Sequence, residues 1–170
     1  MSCSQIFLGL GSNTERESHL SLRLAMLAEH LQGIRCSPVY ESASATGLGS
    51  AFLNMVVAAE TKLSLDEMLE WLKEIEAIHG RRLNSKAGRV TLDIDLLVYD
   101  DLVGTFNGVE LPRPEILHRS YLLYPLSLLA PEGLHPGVNI SYLALWENTP
   151  IEPQLTLSGP APEVWRTKNR

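Results

Sequence analysis

Several features are scarce or missing in this chain of 170 residues. It has two cysteines, Cys3 and Cys36, which are too few for a disulfide framework and lack the spacing of a metal site. No apolar run approaches the ~20 residues of a membrane span, and the N-terminus shows no charged-then-apolar signal pattern. We therefore expect free thiols in a reducing compartment, and hence a cytoplasmic protein without membrane contact.

Positive charge is also scarce, with 14 Lys and Arg against 20 Asp and Glu and a net charge of −6. This balance argues against non-specific binding to nucleic acid or to anionic membranes. The basic residues are unevenly distributed, because four of them fall between residues 81 and 89: Arg81, Arg82, Lys86 and Arg89. Such a loop is either a solvated basic segment or the binding site of an anionic ligand.

Motifs of several common enzyme classes are absent, including GxSxG, the P-loop and a GxGxxG that opens a helix. The histidines are scattered without metal spacing. GLGSN, residues 9–13, resembles a glycine-rich phosphate loop only weakly. A tight turn after a strand is the simpler interpretation of that segment.

The apolar periodicity predicts a β-α-β-β-α-β order. A helix over 16–32 follows from leucines at helical spacing and ends at Gly33. A second helix begins at Ser64 with a capping box to Glu67 and ends near Gly80. The predicted strands are 5–11, 34–41, 52–63 and one within 88–101. This order predicts an α+β fold with an antiparallel sheet and helices packed on one face.

Additions follow this unit toward the C-terminus. We predict a short hairpin through 102–111, a loop at LPRPEIL, and short helices at 121–129 and 139–147. Beyond residue 148 the sequence is rich in Pro and Gly without periodicity. We therefore expect one domain, 1–148, and a loosely held tail, 149–170.

Two acids stand in an otherwise apolar strand, GRVTLDIDLLVYDD. Side chains alternate along a strand, so Asp93 and Asp95 share one face about 6–7 Å apart, together with Leu97 and Tyr99. Two carboxylates this close require cations. Salt bridges to Arg81, Arg89 or Arg113 are one solution. One or two Mg²⁺ ions held with nucleotide phosphates are the other, which the adjacent arginines favour.

The ordered motifs IFLGLGSN, SPVYES, FLNMVVAAET, IEAIHGRR, TLDIDLL, LPRPEIL and YPLSLLAPE resemble 6-hydroxymethyl-7,8-dihydropterin pyrophosphokinases over residues 5–147. The resemblance implies a ferredoxin-like α+β fold and transfer of pyrophosphate from ATP to the pterin hydroxymethyl group, with release of AMP in folate biosynthesis. It implies small-molecule substrates, the pterin and ATP. From the charge balance we expect no nucleic-acid partner, and we expect a monomer, with an oligomer left open.

The resemblance also implies roles for individual residues. Asp93 and Asp95 would hold two Mg²⁺ ions, with Arg81 and Arg89 as catalytic cations. Phe52 and Tyr121 would stack on the pterin, and its amide-like edge would meet Asn54 and the loop at Ser42 and Ala43. The ATP side would be formed by Lys73, Glu76, Arg113 and Arg119. Taken singly, each aromatic could equally be core and Lys73 an exposed charge.

Departures from the family pattern lie mainly in the basic loop. Ala87-Gly88-Arg89-Val90 stands where the family has Trp-Gly-Pro-Arg, so the second catalytic arginine is displaced by one position. Arg113 replaces a common histidine, and residues 42–50 lack the usual prolines. An active pyrophosphokinase with a rebuilt arginine loop is the main hypothesis. A non-catalytic pterin- or nucleotide-binding relative and a two-metal nucleotidyltransferase are the alternatives.

Overall fold

The computed structural model describes residues 3–12, 25–42, 52–83, 92–148 and 155–159. Residues 25–27 are helical. The named elements are β1 Ser4–Ser12, β2 Gln32–Cys36, β3 Val39–Ser42, β4 Phe52–Thr61, α1 Leu65–Leu83, β5 Leu92–Tyr99, β6 Gly104–Phe106, β7 Val109–Leu111, a 3-10 helix Pro114–Leu117, α2 Ser120–Leu129, α3 Tyr142–Asn148 and β8 Leu155–Gly159.

The main sheet is antiparallel and has the order β5-β1-β4-β3-β8, with β2 also paired to β4. β6 and β7 form a separate hairpin, as predicted. The central strand β1 pairs with β4 on one side and with β5 on the other. This arrangement confirms the predicted α+β class with an antiparallel sheet.

One face of the sheet packs against α1. Leu27 and Leu31, from the chain segment before β2, join this core, so residues 27–31 and α1 lie on the same first face. The apolar side chains of this core include Ile6, Leu8, Leu10, Met55, Val57, Met68, Leu69, Leu72, Ile75, Ile94 and Leu96. Their alternation along the strands and their helical spacing in α1 explain why both element types form here.

The C-terminal helices cover the second face. Phe7 of β1 meets Tyr142 of α3 in an edge-to-face contact with ring centroids 5.8 Å apart. The buried members of this second core are Val56, Leu97, Val98, Ile116, Leu122, Leu123, Leu126 and Tyr142. The C-terminal additions therefore complete the sheet as a layer on the side opposite α1.

The pairing of β1 with β5 contains a bulge that changes the predicted faces. Leu8 lies opposite Leu96 and Phe7 opposite Val98, so Leu97 is the extra residue. Leu97 and Val98 both join the second core, whereas Tyr99 joins the first. The strict alternation predicted for this strand holds through Leu97 and is wrong for Val98 and Tyr99.

Helix α1 begins with the predicted capping box. The Ser64 N–H donates to Glu67 Oε1 at 2.9 Å, and the Glu67 N–H donates to Ser64 Oγ at 3.2 Å. The hydrogen bond from the Ser64 backbone lowers the pKa of Glu67. The helix continues beyond Gly80 to Leu83, so the predicted end was too early.

Three other predicted boundaries were wrong. The helix predicted to Gly33 ends at residue 27, and Gly33 lies inside β2 with a positive φ of 58°. The strand predicted over 34–41 is two strands, because Ser37 and Pro38 separate β2 from β3. Residues 9–12 belong to β1 and not to a turn, while Asn13 lies outside the described residues.

The segment after residue 148 contains one described element. Strand β8, Leu155–Gly159, pairs with β3 and adds an edge to the main sheet, where the sequence shows no periodicity. The domain division at residue 148 stays a prediction. Both cysteines are free thiols, as predicted. Among the described residues, none of the helices is long and apolar enough to cross a membrane.

Candidate active site

Strand β5 presents the two acids on the second face of the sheet. Asp93 pairs with Gly11 and Asp95 with Gly9 of the neighbouring strand β1. Both acids are exposed, and 53% of the Asp95 side chain is accessible to solvent. The predicted placement of the two carboxylates on one face is therefore confirmed.

Arg113 is held against the same strand by three polar contacts. Its backbone N–H donates to the Leu97 carbonyl and its Nε–H to the Leu96 carbonyl, both at 2.9 Å. These bonds leave one guanidinium nitrogen, Nη2, 3.7 Å from Asp95 Oδ1. The predicted salt bridge between Arg113 and the acid pair is thus present, at a long distance.

The Arg113 charge does not offset the desolvation of Asp95. Although about half of the Asp95 side chain is accessible, desolvation by the surrounding protein raises the pKa of its carboxyl. The Arg113 charge lowers this pKa and the Glu115 charge raises it, with a net upward shift. Because an upward shift means that the carboxylate form is disfavoured, an added cation beside Asp95 would be stabilised. Glu115 was not predicted from the sequence.

A row of directly opposed residues crosses the sheet at Asp93. Tyr40 of β3 pairs with Asn54 of β4, Asn54 with Gly11, and Gly11 with Asp93. Directly opposed residues of antiparallel strands project from the same face. We call the part of the second face formed by Asn54, Gly11, Asp93 and Asp95 the open half, which Tyr40 borders.

Asn54 lies in this row with only 6% of its surface exposed. A buried amide side chain needs hydrogen-bond partners. The Asn54 Oδ1 lies beside Gly11, 3.5 Å from the position that a Cβ atom on Gly11 would take. An apolar residue would be expected at this position if it served only the core, so the amide of Asn54 indicates a polar role. The structure thus places Asn54 and the acids in one surface, separated by a single strand.

Helix α2 borders the open half. Burial raises the pKa of the Tyr121 hydroxyl, on which the charges of Arg119, Asp95, Glu115 and Asp93 also act. The aromatic ring predicted to stack on a substrate therefore belongs to the same cluster as the acids. Arg119 is exposed at the residue that precedes α2.

Glu76 and Lys73 lie on helix α1. The Ile94 N–H donates to Glu76 Oε1 at 3.4 Å. The Glu76 carboxylate therefore contacts β5 at the residue that separates Asp93 from Asp95. Lys73 is exposed on the same helix, and no hydrogen bond or ion pair joins it to another site residue among the described side chains. The structure brings Glu76 to the acid strand and leaves Lys73 exposed on α1.

Five predicted residues fall partly or wholly outside the described part of the chain. Phe52 and Ser42 are described by backbone alone and pair with each other at the end of β4 and β3. Arg81 lies in α1, again by backbone alone. Ala43 and Arg89 lie outside the described residues.

Sequence reasoning missed an aromatic cluster beside Asn54. The Tyr40 ring packs against Tyr124 at 5.4 Å between centroids, and Tyr124 packs against Trp146 at 4.8 Å. Burial, followed by the charge and the hydrogen bond of Tyr124, raises the pKa of Tyr40 to about 12. The spacing of Tyr121 and Tyr124 could have indicated this, because residues three apart lie on the same side of a helix. Tyr124 therefore lies on the same side of α2 as Tyr121.

The donor set of the acid pair fits Mg²⁺ that also binds phosphate. No group of three or more His, Cys, Asp or Glu among the described residues could hold a metal ion. Mg²⁺ commonly takes one or two carboxylates and completes its octahedral shell with waters and substrate phosphates. Two exposed carboxylates on one face of a strand match that mode of binding.

The chain is similar to known pterin pyrophosphokinases in sequence. A family model, 7,8-dihydro-6-hydroxymethylpterin-pyrophosphokinase (HPPK), matches residues 7–131. The 2-amino-4-hydroxy-6-hydroxymethyldihydropteridine pyrophosphokinase of Aquifex aeolicus is 37% identical over 134 residues, which cover 77% of this chain and 83% of that protein. The protein of the same name from Synechocystis is 29% identical over 167 residues, 92% of this chain and 85% of that protein.

Solved structures show the same fold. A Plasmodium falciparum HPPK-DHPS triple mutant superposes with a TM-score of 0.69 at 16% identity and covers 92% of this chain. The chain spans about half of that structure, 47% of its length. The likeness confirms the predicted ferredoxin-like α+β fold.

Proposed function

We propose, since this chain belongs to the 7,8-dihydro-6-hydroxymethylpterin-pyrophosphokinase family, that it transfers pyrophosphate from ATP to the hydroxymethyl group of 6-hydroxymethyl-7,8-dihydropterin in folate biosynthesis. The pterin oxygen forms a bond to the β-phosphorus, the bond from that phosphorus to the AMP oxygen breaks, and the hydroxyl proton is released. The observation that supports this best is the shared surface of Asn54, Asp93 and Asp95.

Asp93 and Asp95 hold Mg²⁺ in this proposal, with two ions expected. Bound there, the metal neutralises phosphate charge and orients the reacting oxygens. The raised pKa of Asp95 supports the assignment, because desolvation and the Glu115 charge disfavour the carboxylate form and a bound cation would stabilise it. No nucleophilic side chain is required, since attack comes from the substrate hydroxyl.

The ATP phosphates meet arginines on the proposed nucleotide side. Arg113 is positioned by its two hydrogen bonds to β5. Arg119 is exposed, and its charge acts on the Tyr121 hydroxyl. Guanidinium groups of this kind bind phosphate oxygens in a bidentate manner. Lys73 and Glu76 of α1 complete the proposed nucleotide side.

The pterin is proposed to lie on the open half with its amide-like edge at Asn54. Tyr121 and Phe52 stack on the ring, and Ser42 and Ala43 supply loop contacts. The burial of Asn54 supports this, because a buried amide fixes the orientation of a ligand by its hydrogen bonds. The position of Tyr121 beside the acids would bring the hydroxymethyl group to the metal side.

Arg81 and Arg89 are the proposed catalytic cations. A transition-state arginine can contribute several orders of magnitude in turnover. We expect Arg89→Ala to lower kcat at least about tenfold in steady-state assays, with an unchanged Tm. Turnover within about twofold of wild type would remove Arg89 from the mechanism.

The test of the proposed function is a product assay with the pterin, ATP and Mg²⁺, in which the released nucleotide is identified by chromatography. Pterin-dependent AMP is expected. ADP would indicate an ordinary kinase, pyrophosphate a nucleotidyltransferase, and intact ATP with bound pterin a binding relative. Each of those three results would overturn the proposal.

A cytoplasmic location and a monomeric state complete the proposal. Both free thiols support a reducing compartment. The exposed acids on the second face are consistent with small-molecule substrates and not with polyanionic nucleic acid.

A further inference from the structure

Two glycines of β1, Gly9 and Gly11, lie in the second face of the sheet at successive positions of that face. Glycine weakens a strand interior and usually marks a bulge, a bend or the close approach of another group. The bulge in the pairing of β1 with β5 lies at Leu97 of β5, opposite the step from Phe7 to Leu8. Neither glycine has the positive φ that would require the residue, since the described glycines with positive φ are Gly33, Gly104 and Gly108.

Gly9 is explained by packing. A Cβ atom at this position would lie 3.1 Å from Leu122 Cδ2 and 3.4 Å from Leu97 Cδ2. Both distances are close, and Gly9 is buried. The residue is therefore small because α2 packs directly on its backbone.

Among the described residues, no side chain gives Gly11 such an explanation. A Cβ atom there would meet Asn54 Oδ1 at 3.5 Å and the Leu53 carbonyl at 3.9 Å, which are ordinary van der Waals distances. Gly11 also remains partly exposed, although β1 has a strand on either side. The described side chains thus leave space above Gly11 that a methyl group would enter.

The surroundings of this space show what would fill it. Gly11 pairs with Asn54 on one side and with Asp93 on the other. Adjacent strands lie about 4.8 Å apart, so these two residues are roughly 10 Å apart across Gly11. A substrate that joins a recognised amide edge to a reacting hydroxymethyl group must pass over this backbone.

We propose that Gly11 is a substrate-contact position that determines ring fit: its bare backbone carries the middle of the pterin between Asn54 and the metal side at Asp93. The inference rests on the proposed function and adds a contact to it. A side chain at residue 11 occupies the space of the substrate while leaving the fold intact. Gly9 carries no such role, which makes it the matched control.

The experiment compares Gly11→Ala with Gly9→Ala. Pterin Kd is measured by calorimetry in the presence of Mg²⁺ and a non-hydrolysable ATP analogue, alongside the Kd of the analogue and the Tm of each protein. For Gly11→Ala we expect the pterin Kd to rise at least about tenfold, because overpacking of a close contact is unfavourable. The analogue Kd should stay within about twofold, and the Tm should be unchanged or higher, because Ala is more stable than Gly in a strand.

The control separates a contact from a structural role. Gly9→Ala should lower the Tm and leave the pterin Kd of the folded protein within about twofold. An unchanged pterin Kd in Gly11→Ala would overturn the inference, and so would a Tm loss as large as that of Gly9→Ala.

The assay also separates this inference from the proposed function. Wild-type protein that binds no pterin would overturn both. Wild-type protein that releases AMP, together with a Gly11→Ala variant of normal pterin affinity, would overturn the Gly11 assignment alone.

Discussion

Strands β1, β4 and β5 each run through two different parts of the second sheet face. In the part under α2 and α3, which we call the covered half, they contribute Phe7, Val56 and Leu97. In the open half the same strands contribute Gly11, Asn54 and Asp93. On each of these strands, the buried core residue and the residue of the polar surface are thus only two to four positions apart.

The difference between the two halves is set by where helix α2 covers the sheet. Leu122, Leu123 and Leu126 of α2 lie on the covered half and exclude water from it. Tyr121, one residue before Leu122, lies within the electrostatic field of the acids. The first turn of α2 is therefore the border between the two halves, and substitutions on either side of it should have separable effects.

The largest expected effect is on the open half. Asp95→Asn should lower kcat by about 10³-fold or more, because loss of a metal carboxylate removes several kcal/mol of transition-state stabilisation. The Tm should not fall: the pKa of Asp95 is raised in the folded state, so its charge opposes folding above the ordinary pKa. Steady-state kinetics and thermal unfolding measure the two quantities.

Asp101→Asn is the matched control, since Asp101 is an exposed acid in the turn after β5. It should change neither quantity. A similar loss of turnover in both variants would mean that the acid pair has no special role.

On the covered half, Leu126→Ala should have the opposite signature. The side chain is fully buried, so its truncation should lower the free energy of unfolding by about 2–5 kcal/mol. KM for both substrates should stay within about twofold at temperatures well below the Tm. Urea unfolding checks the first expectation, and a large rise in pterin KM would contradict the separation of the halves.

A smaller effect is expected at Tyr40, whose ring contacts Tyr124 of α2. Burial raises its pKa to about 12, while an unfolded tyrosine ionises near 10. Between these values the unfolded state loses its proton first, so stability should fall by about 1.4 kcal/mol per pH unit from Tyr40 alone. Urea unfolding at pH 9, 10 and 11 should show a shallower fall for Tyr40→Phe than for wild type. Parallel curves would show that Tyr40 ionises normally.

The smallest effect is expected at Tyr142. Its hydroxyl is buried and has no hydrogen-bond partner among the described residues, and burial raises its pKa. Tyr142→Phe should therefore leave the Tm unchanged or raise it slightly, because a buried unpaired hydroxyl is unfavourable. A clear drop in Tm by calorimetry would show that the hydroxyl is paired after all.

Local signals in the sequence predicted much of the fold. The capping box at Ser64 and the leucine spacing of α1 depend on neighbours in sequence, and both predictions were confirmed. The sharing of one face by Asp93 and Asp95 follows from the two-residue period of a strand and was confirmed as well. Strand β8 showed no such signal, because its pairing with β3 joins segments more than a hundred residues apart.

The sequence by itself determined the element order, the antiparallel α+β class and the identity of the acid pair, since each depends on periodicity or on local spacing. Only the tertiary structure decided which strand residues meet. The bulge at Leu97 exchanged the faces of Val98 and Tyr99, and the register across three strands placed Gly11 between Asn54 and Asp93. The physical reason is that register and bulges are set by packing between distant segments, which no local pattern records.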